Sequence, residues 1–187
     1  MAPQKPMKRR KFISTTAATA ATISIVPRHV LGGSGVVAPS DKITVANIGC
    51  GTQGLREMSG MLQNPDLQVV SVCDPNKCST DYLDWSANGI RNGIRKTLED
   101  PEWGAMYSGI PGGRDIAKEY IERIYGKNTT SGKYKGCSSY EDFREWLQKE
   151  QDVDAIKIMT PDHLHATIAI AAMKKGKHVV VHKPIAN

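Results

Sequence analysis

The sequence lacks several features that whole classes of protein need. Only 6% of its 187 residues are aromatic, and its four cysteines show no C-x-x-C spacing of a zinc or redox motif. The formal net charge of +6 arises in the first 40 residues, which hold six basic and no acidic side chains and leave 19 basic and 19 acidic groups in the rest. We therefore expect no nucleic-acid partner and no metal site.

Long apolar runs are also missing. The stretch from Ser14 to Val26 is interrupted by serines and threonines, whereas a membrane span needs about 20 mostly apolar residues, so no stable membrane anchor is expected. A basic cluster containing Arg9 and Arg10 precedes that stretch, which is the layout of an export signal of the twin-arginine type. We predict that residues 1–40 are an export signal and arm that direct the protein to the periplasm. A disordered basic tail is the alternative.

From residue 41 onward, short β-branched runs alternate with amphipathic helical patterns. The candidate strands are residues 43–48, 67–73, 134–137, 153–159 and 178–181, and the candidate helices are residues 51–63, 115–125, 140–149 and 164–175. This alternation predicts an α/β domain of the Rossmann type over residues 41–187, with a doubly wound parallel sheet. The glycine-rich residues 77–113 do not fit the alternation. We expect them to be an insertion at the edge of the sheet, near the cofactor, with a short helix within residues 81–98.

A glycine-rich turn lies between the first strand and the first helix. Residues 49–54 read G-x-G-x-x-G, in which Gly49 permits a tight turn, Gly51 lets a pyrophosphate approach the backbone, and Gly54 lets helix and strand pack closely. Thr52 and Gln53 open the helix, whose free N–H groups and dipole face the pyrophosphate. The sequence therefore predicts a dinucleotide-binding turn.

Asp74 strengthens this interpretation. It follows the second strand, 20 positions after Gly54, where a carboxylate accepts hydrogen bonds from the ribose hydroxyls of the adenosine. It is also a suitable turn former ahead of Pro75, and both roles are compatible. A carboxylate repels the 2′-phosphate of NADP, so NAD is the expected cofactor, although Lys77 lies close enough to leave NADP open.

The C-terminal part of the chain carries a second set of candidates. Thr160 and Pro161 follow the fourth candidate strand, and Lys183 follows the last one. Because ligands bind outside the carboxyl ends of the strands in a doubly wound sheet, we expect these three residues on the cofactor side.

The motifs T-P-D-H-L-H at residues 160–165 and G-K-H-V-V-V-H-K-P at residues 176–184 resemble the Gfo/Idh/MocA family, named for glucose–fructose oxidoreductase and inositol dehydrogenase. The resemblance covers about residue 43 to the end. It implies an NAD(P)-dependent oxidoreductase acting on a small-molecule sugar, polyol or related compound. It also implies that Thr160 and Pro161 contact the cofactor, that His165 lies near its ribose, and that Lys183 lies beside nicotinamide and substrate as the catalytic residue that polarises the reacting hydroxyl.

Some features qualify the resemblance. Asp162 replaces the family's asparagine, and His182 stands where the family has glutamate. From the pattern alone, His165 is equally well interpreted as a packed or capping histidine. The Lys183–Pro184 peptide is a candidate cis bond.

Three functional hypotheses remain open at this stage. The first is the nucleotide-binding part of an exported sugar or polyol dehydrogenase. The second is a redox-neutral, NAD-dependent glycoside hydrolase. The third is a non-catalytic nucleotide-binding fragment. The resembled family has a substrate domain, through which a homo-oligomer would form, and we expect that domain to be missing after Asn187. We expect weak cofactor binding and little turnover from this truncated domain alone.

Overall fold

The structure, a computed structural model, describes residues 41–86 and 88–185. Within these residues the strands are β1 Ile43–Ile48, β2 Leu67–Cys73, β3 Ser79–Tyr82, β4 Ile110–Gly112, β5 Ser138–Tyr140, β6 Ala155–Ile158 and β7 His178–Val181. The helices are α1 Thr52–Gln63, α2 Gly89–Leu98, α3 Arg114–Lys127, α4 Phe143–Lys149 and α5 His165–Lys174, and a 3₁₀ turn at Asp162–Leu164 leads into α5. The predicted export signal lies outside the described residues.

The central sheet has the strand order β5-β2-β1-β6-β7, and every neighbouring pair in it is parallel. Its middle strands are buried on both faces, which explains their β-branched and apolar sequences. The predicted Rossmann-type α/β fold is confirmed. From β1 the chain adds β2 and β5 on one side of the sheet, and it then crosses to the other side of β1 to add β6 and β7. A crevice therefore opens at the carboxyl ends of β1 and β6, where such folds bind ligands.

Helices cover both faces of this sheet and divide the core in two. On one face, Leu55 and Met58 of α1 pack with Ile121 of α3 and the buried residues of β2. On the other face, Trp146 of α4 and Ile168 of α5 pack against β6. The i, i+3 and i, i+4 spacing of these apolar residues places each stripe towards the sheet.

Most predicted elements agree with the structure, and one strand is wrong. The strand expected at residues 134–137 lies instead at β5, which pairs with β2. Tyr134 makes side-chain contacts in its place: its ring meets that of Tyr125 edge-on at 5.3 Å, and its hydroxyl accepts a hydrogen bond from Gln68. The helix expected from residue 140 begins later, because the carboxylate of Asp142 caps it by accepting from the backbone N–H of Arg144.

The described part of the insertion at residues 77–113 forms regular secondary structure and does not lie at the edge of the central sheet. β3 and β4 pair as an antiparallel ribbon, and α2 packs against α1 and α3. The expected short helix is therefore confirmed, but the edge position is wrong. The reason is the stripe formed by Ile90, Ile94 and Leu98, which is buried against the other two helices.

Among the described residues, no helix is long and apolar enough to cross a membrane. The same part of the chain holds no cluster of three or more His, Cys, Asp or Glu side chains arranged to bind a metal ion.

Candidate functional site

The glycine turn follows β1 and has the geometry that its sequence requires. Gly49 has a φ of 98°, and a Cβ atom there would lie 2.6 Å from the backbone of Met159 at the end of β6. A Cβ on Gly54 would collide with the carbonyl oxygen of Gly49. Both positions therefore exclude any other residue, because the neighbouring atoms are backbone that cannot turn aside.

Gly51 caps α1 and adopts an extended backbone with a φ of −76°, so its constraint is not conformational. A Cβ added there would lie 2.9 Å from the ring of Tyr82. The first N–H groups of α1 have no partner within the helix and, together with the helix dipole, form an anion site. The missing side chain at Gly51 leaves room for the ring of Tyr82, and the first turn of α1 beside it fits a pyrophosphate group.

Asp74 is fixed beside this turn. Its side chain is buried; Oδ2 accepts from the backbone N–H of Cys50 at 2.6 Å, and Oδ1 accepts from the N–H of Asn76 at 2.8 Å. Burial raises the pKa of Asp74, and the two N–H bonds and the charge of Arg114 oppose this shift without cancelling it. The carboxylate therefore loses its charge at a higher pH than an exposed aspartate. The contact with Asn76 gives Asp74 the turn-forming role as well.

A cavity of about 410 Å³ lies over the turn, and we call it the turn cavity. The structure brings together in its wall seven of the residues predicted from the sequence: Gly49, Gly51, Thr52, Gln53, Asp74, Thr160 and Pro161. Gly54 lies behind them at the contact between helix and strand.

A second cavity, of about 360 Å³, contains Lys183 and His182 in its wall, and we call it the lysine cavity. It shares Thr52, Gln53, Met159 and Thr160 with the turn cavity, so the two cavities are adjacent along the carboxyl ends of the strands. The Lys183–Pro184 peptide is cis. An extended ligand bound by its phosphates at the turn could thus reach Lys183 with its other end.

His165 lines neither cavity. It is fully buried, with Nδ1 2.6 Å from the carbonyl oxygen of Pro184 and Nε2 2.8 Å from that of Thr160. It therefore links the loop after β6 to the segment after Lys183 from behind the walls of the two cavities. These contacts favour the interpretation of His165 as a packed histidine, and its direct contact with the ribose of the cofactor stays a prediction.

His182 is accompanied by a carboxylate that the sequence did not reveal. Its Nε2 lies 3.5 Å from Oε1 of Glu57 on α1, and Glu57 also pairs with Lys157 and accepts from Gln53. Burial acts to raise the pKa of Glu57, but the hydrogen bonds from Lys157 and Gln53 outweigh it, so the pKa is lowered. A negative charge therefore stands next to position 182, although the side chain at that position is not glutamate.

The insertion also contributes to the lysine cavity, with residues that no sequence motif identified. Trp85 is 87% exposed, and the guanidinium of Arg56 lies 4.4 Å from the centroid of its ring. Arg56 also forms an ion pair with the buried side chain of Asp84, which accepts in addition from the backbone N–H of Ile90. An aromatic ring is thus held at the mouth of the cavity that contains Lys183.

Parts of the chain are similar to known proteins. Residues 117–187 match the family model GFO_IDH_MocA, described as the oxidoreductase family with NAD-binding Rossmann fold. A levoglucosan dehydrogenase of Pseudarthrobacter phenanthrenivorans is 38% identical over 72 residues, which are 38% of this chain and 16% of that protein. A glycosyl hydrolase family 109 protein of Stenotrophomonas maltophilia is 28% identical over 171 residues, which are 91% of this chain and 28% of that protein.

Among solved structures, the scyllo-inositol dehydrogenase of Lactobacillus casei with bound NAD(H) and scyllo-inositol aligns with 78% of this chain and 29% of its own, at 16% identity and a TM-score of 0.43. The chain thus spans about a third or less of the length of these relatives.

The fold and the glycine turn with its acidic partner define an NAD-binding Rossmann domain. Residues 117–187 are similar to the model of the Gfo/Idh/MocA oxidoreductase family, and this stretch contains the motifs around Thr160 and Lys183.

Proposed function

We propose that this chain is the cofactor-binding part of an exported oxidoreductase that transfers hydride between NAD and a sugar or polyol. The observation that carries the proposal is that the turn cavity and the lysine cavity share lining residues, which supports a single site containing both the glycine turn and Lys183. The similarity to a levoglucosan dehydrogenase supports the substrate class.

In this proposal NAD supplies the acceptor for the hydride. The first turn of α1 binds the pyrophosphate, and the fixed carboxylate of Asp74 accepts from the adenosine ribose. Lys183 donates a hydrogen bond to the reacting hydroxyl of the substrate and so orients it. Oxidation of that alcohol releases the C–H electron pair as hydride and the O–H proton to a base. A protonated Lys183 that donates to the hydroxyl has no lone pair for this proton, so His182, which lines the same cavity, is the candidate base.

The test is an absorbance assay for NADH with the purified protein, NAD and a panel of anhydrosugars, monosaccharides and inositols. We expect NADH to accumulate in step with the oxidised sugar for at least one member of the panel. A protein that binds NAD but reduces none of it with any of these compounds contradicts the dehydrogenase proposal.

A redox-neutral glycoside hydrolase is the second candidate, favoured by the similarity to glycosyl hydrolase family 109 proteins over 87–95% of the chain. Such an enzyme oxidises its substrate transiently and then returns the hydride, so NADH does not accumulate. Nitrophenol release from nitrophenyl glycosides, dependent on NAD but without net NADH, distinguishes it from the dehydrogenase.

We further propose that a twin-arginine-type signal exports the protein. Replacing Arg9 and Arg10 together with lysine should retain the protein in the cytoplasm, because the pathway reads the arginine pair rather than the positive charge. The measurement is the distribution of the protein between periplasmic and cytoplasmic fractions. Replacing Lys5 and Lys8 with arginine is the matched control, and unchanged periplasmic delivery of the double lysine variant rules the proposal out.

A further inference from the structure

The insertion is joined directly to the glycine turn. The backbone N–H of Gly113 donates to the carbonyl of Cys50 at 2.9 Å, and the hydroxyl of Thr52 donates to the carbonyl of Leu83 at 2.7 Å. One contact reaches the middle of the turn and the other reaches the first residue of α1. The start of the segment after β3 and the residue after β4 are therefore both held by the residues that are expected to bind the pyrophosphate.

The ring of Tyr82 lies between two glycines at this junction. A Cβ atom on Gly51 would come within 2.9 Å of the ring, and a Cβ atom on Gly112 would come within 2.6 Å. Two positions without side chains therefore create the slot in which the ring lies. Tyr82 is half-buried there and lines the turn cavity.

The hydroxyl of Tyr82 is connected to the carboxylate of Asp74 through one residue. The side-chain amide of Asn76 donates to the Tyr82 hydroxyl at 3.0 Å, and the backbone N–H of Asn76 donates to Asp74 at 2.8 Å. A phenol that accepts one hydrogen bond keeps its own proton for donation. Both Tyr82 and Asp74 line the turn cavity, so a ligand held by the carboxylate meets the phenol as well.

We propose that Tyr82 is a cofactor-binding residue that forms a second wall for the adenosine ribose next to Asp74 and so favours NAD over NADP. In this proposal the ring, which lines the turn cavity together with Asp74, leaves less room for a 2′-phosphate, and the phenol adds a donor for a ribose oxygen. The inference rests on NAD binding at the glycine turn and assigns a ligand-binding role to the insertion.

The experiment is calorimetric titration of the purified chain with NAD, NADP and ADP-ribose, which retains the adenosine half and lacks nicotinamide. Tyr82→Phe keeps the ring and should weaken the binding of NAD and ADP-ribose about fivefold, the usual effect of one lost hydrogen bond. Tyr82→Ala should weaken NAD binding at least about tenfold, because ring contact is lost as well. It should also lower the ratio of NAD affinity to NADP affinity, a change that general loss of structure does not produce.

Tyr107→Phe is the matched control, since Tyr107 belongs to the same insertion and lines neither cavity. It should leave all three affinities unchanged, and thermal unfolding should verify that each variant is folded. Unchanged ADP-ribose affinity in Tyr82→Phe, or an equal loss of NAD and NADP affinity in Tyr82→Ala, overturns the proposal. A wild-type chain that binds none of the three ligands overturns it together with nucleotide binding at the turn.

Discussion

Gly51→Val is expected to raise the dissociation constant for NAD at least about a hundredfold while the domain stays folded. The valine side chain would occupy the place where the pyrophosphate approaches the first turn of α1, so the ligand would lose the N–H groups that bind its charge. The fold tolerates the change because the φ of Gly51 is −76° and its nearest neighbour is the side chain of Tyr82 rather than backbone, so the valine displaces that ring from its slot and leaves the backbone in place.

Calorimetry with NAD, paired with thermal unfolding, measures this effect. Gly60→Val is the matched control: it introduces the same side chain into the same helix at an exposed position with no atom within 4 Å of the new Cβ. The control should bind NAD like the wild type and show only the small loss of stability that a β-branched residue causes in a helix. Comparable NAD affinity in both variants would contradict the phosphate-binding role of the turn.

The site residues near the glycine turn could be predicted because their geometry is encoded locally. Glycine is required at positions 49 and 54 because a side chain there would collide with backbone that any strand–turn–helix of this type brings close. Asp74 follows β2, and the parallel pairing of β2 with β1 fixes its position relative to the turn. Parallel pairing then brings the ends of β6 and β7 alongside. The positions of Thr160 and Lys183 depend only on the order of the strands, so these positions could be predicted from the sequence.

The contribution of the insertion could not be predicted in the same way. Its glycines suggested an irregular loop, yet Gly112 provides one side of the slot for the ring of Tyr82. The other side is Gly51, far away in the sequence, so only tertiary structure shows that the two glycines act together. The spacing of Ile90 and Ile94 was the part of the sequence pattern in α2 that indicated a packed helix. The exposed Gly89 and Gly93 in the same helix obscured this pattern.

The replacement of a family glutamate by His182 shows a similar limit. The sequence predicts the loss of a carboxylate next to Lys183, but the structure places Glu57 within 3.5 Å of the imidazole. Glu57 lies one helical turn after Gln53, a spacing that predicts a shared helix face but not a contact with β7. A carboxylate beside position 182 is therefore supplied by a different element of the fold, which the sequence does not reveal.

Under the proposed function, Lys183→Met is expected to lower the turnover number by about a hundredfold to a thousandfold, the usual cost of removing one donor that stabilises charge on the reacting oxygen. NAD affinity should change less than about fivefold, because the adenosine and pyrophosphate contacts of the turn cavity are untouched. This difference between turnover and cofactor affinity follows from the position of Lys183 in the lysine cavity, away from Asp74 and the glycines.

The measurement combines the steady-state rate of NADH formation at saturating NAD with calorimetric titration of the same preparation. Lys175→Met provides the control, since Lys175 is exposed at the end of α5 and lines neither cavity. Its rate and affinity should match those of the wild type. If the Lys183 variant keeps its turnover number, or if weakened NAD binding accounts for all of its loss, then Lys183 does not act on the reacting hydroxyl. The proton and the orientation of the substrate would then have to be handled by His182 and the carboxylate of Glu57 beside it.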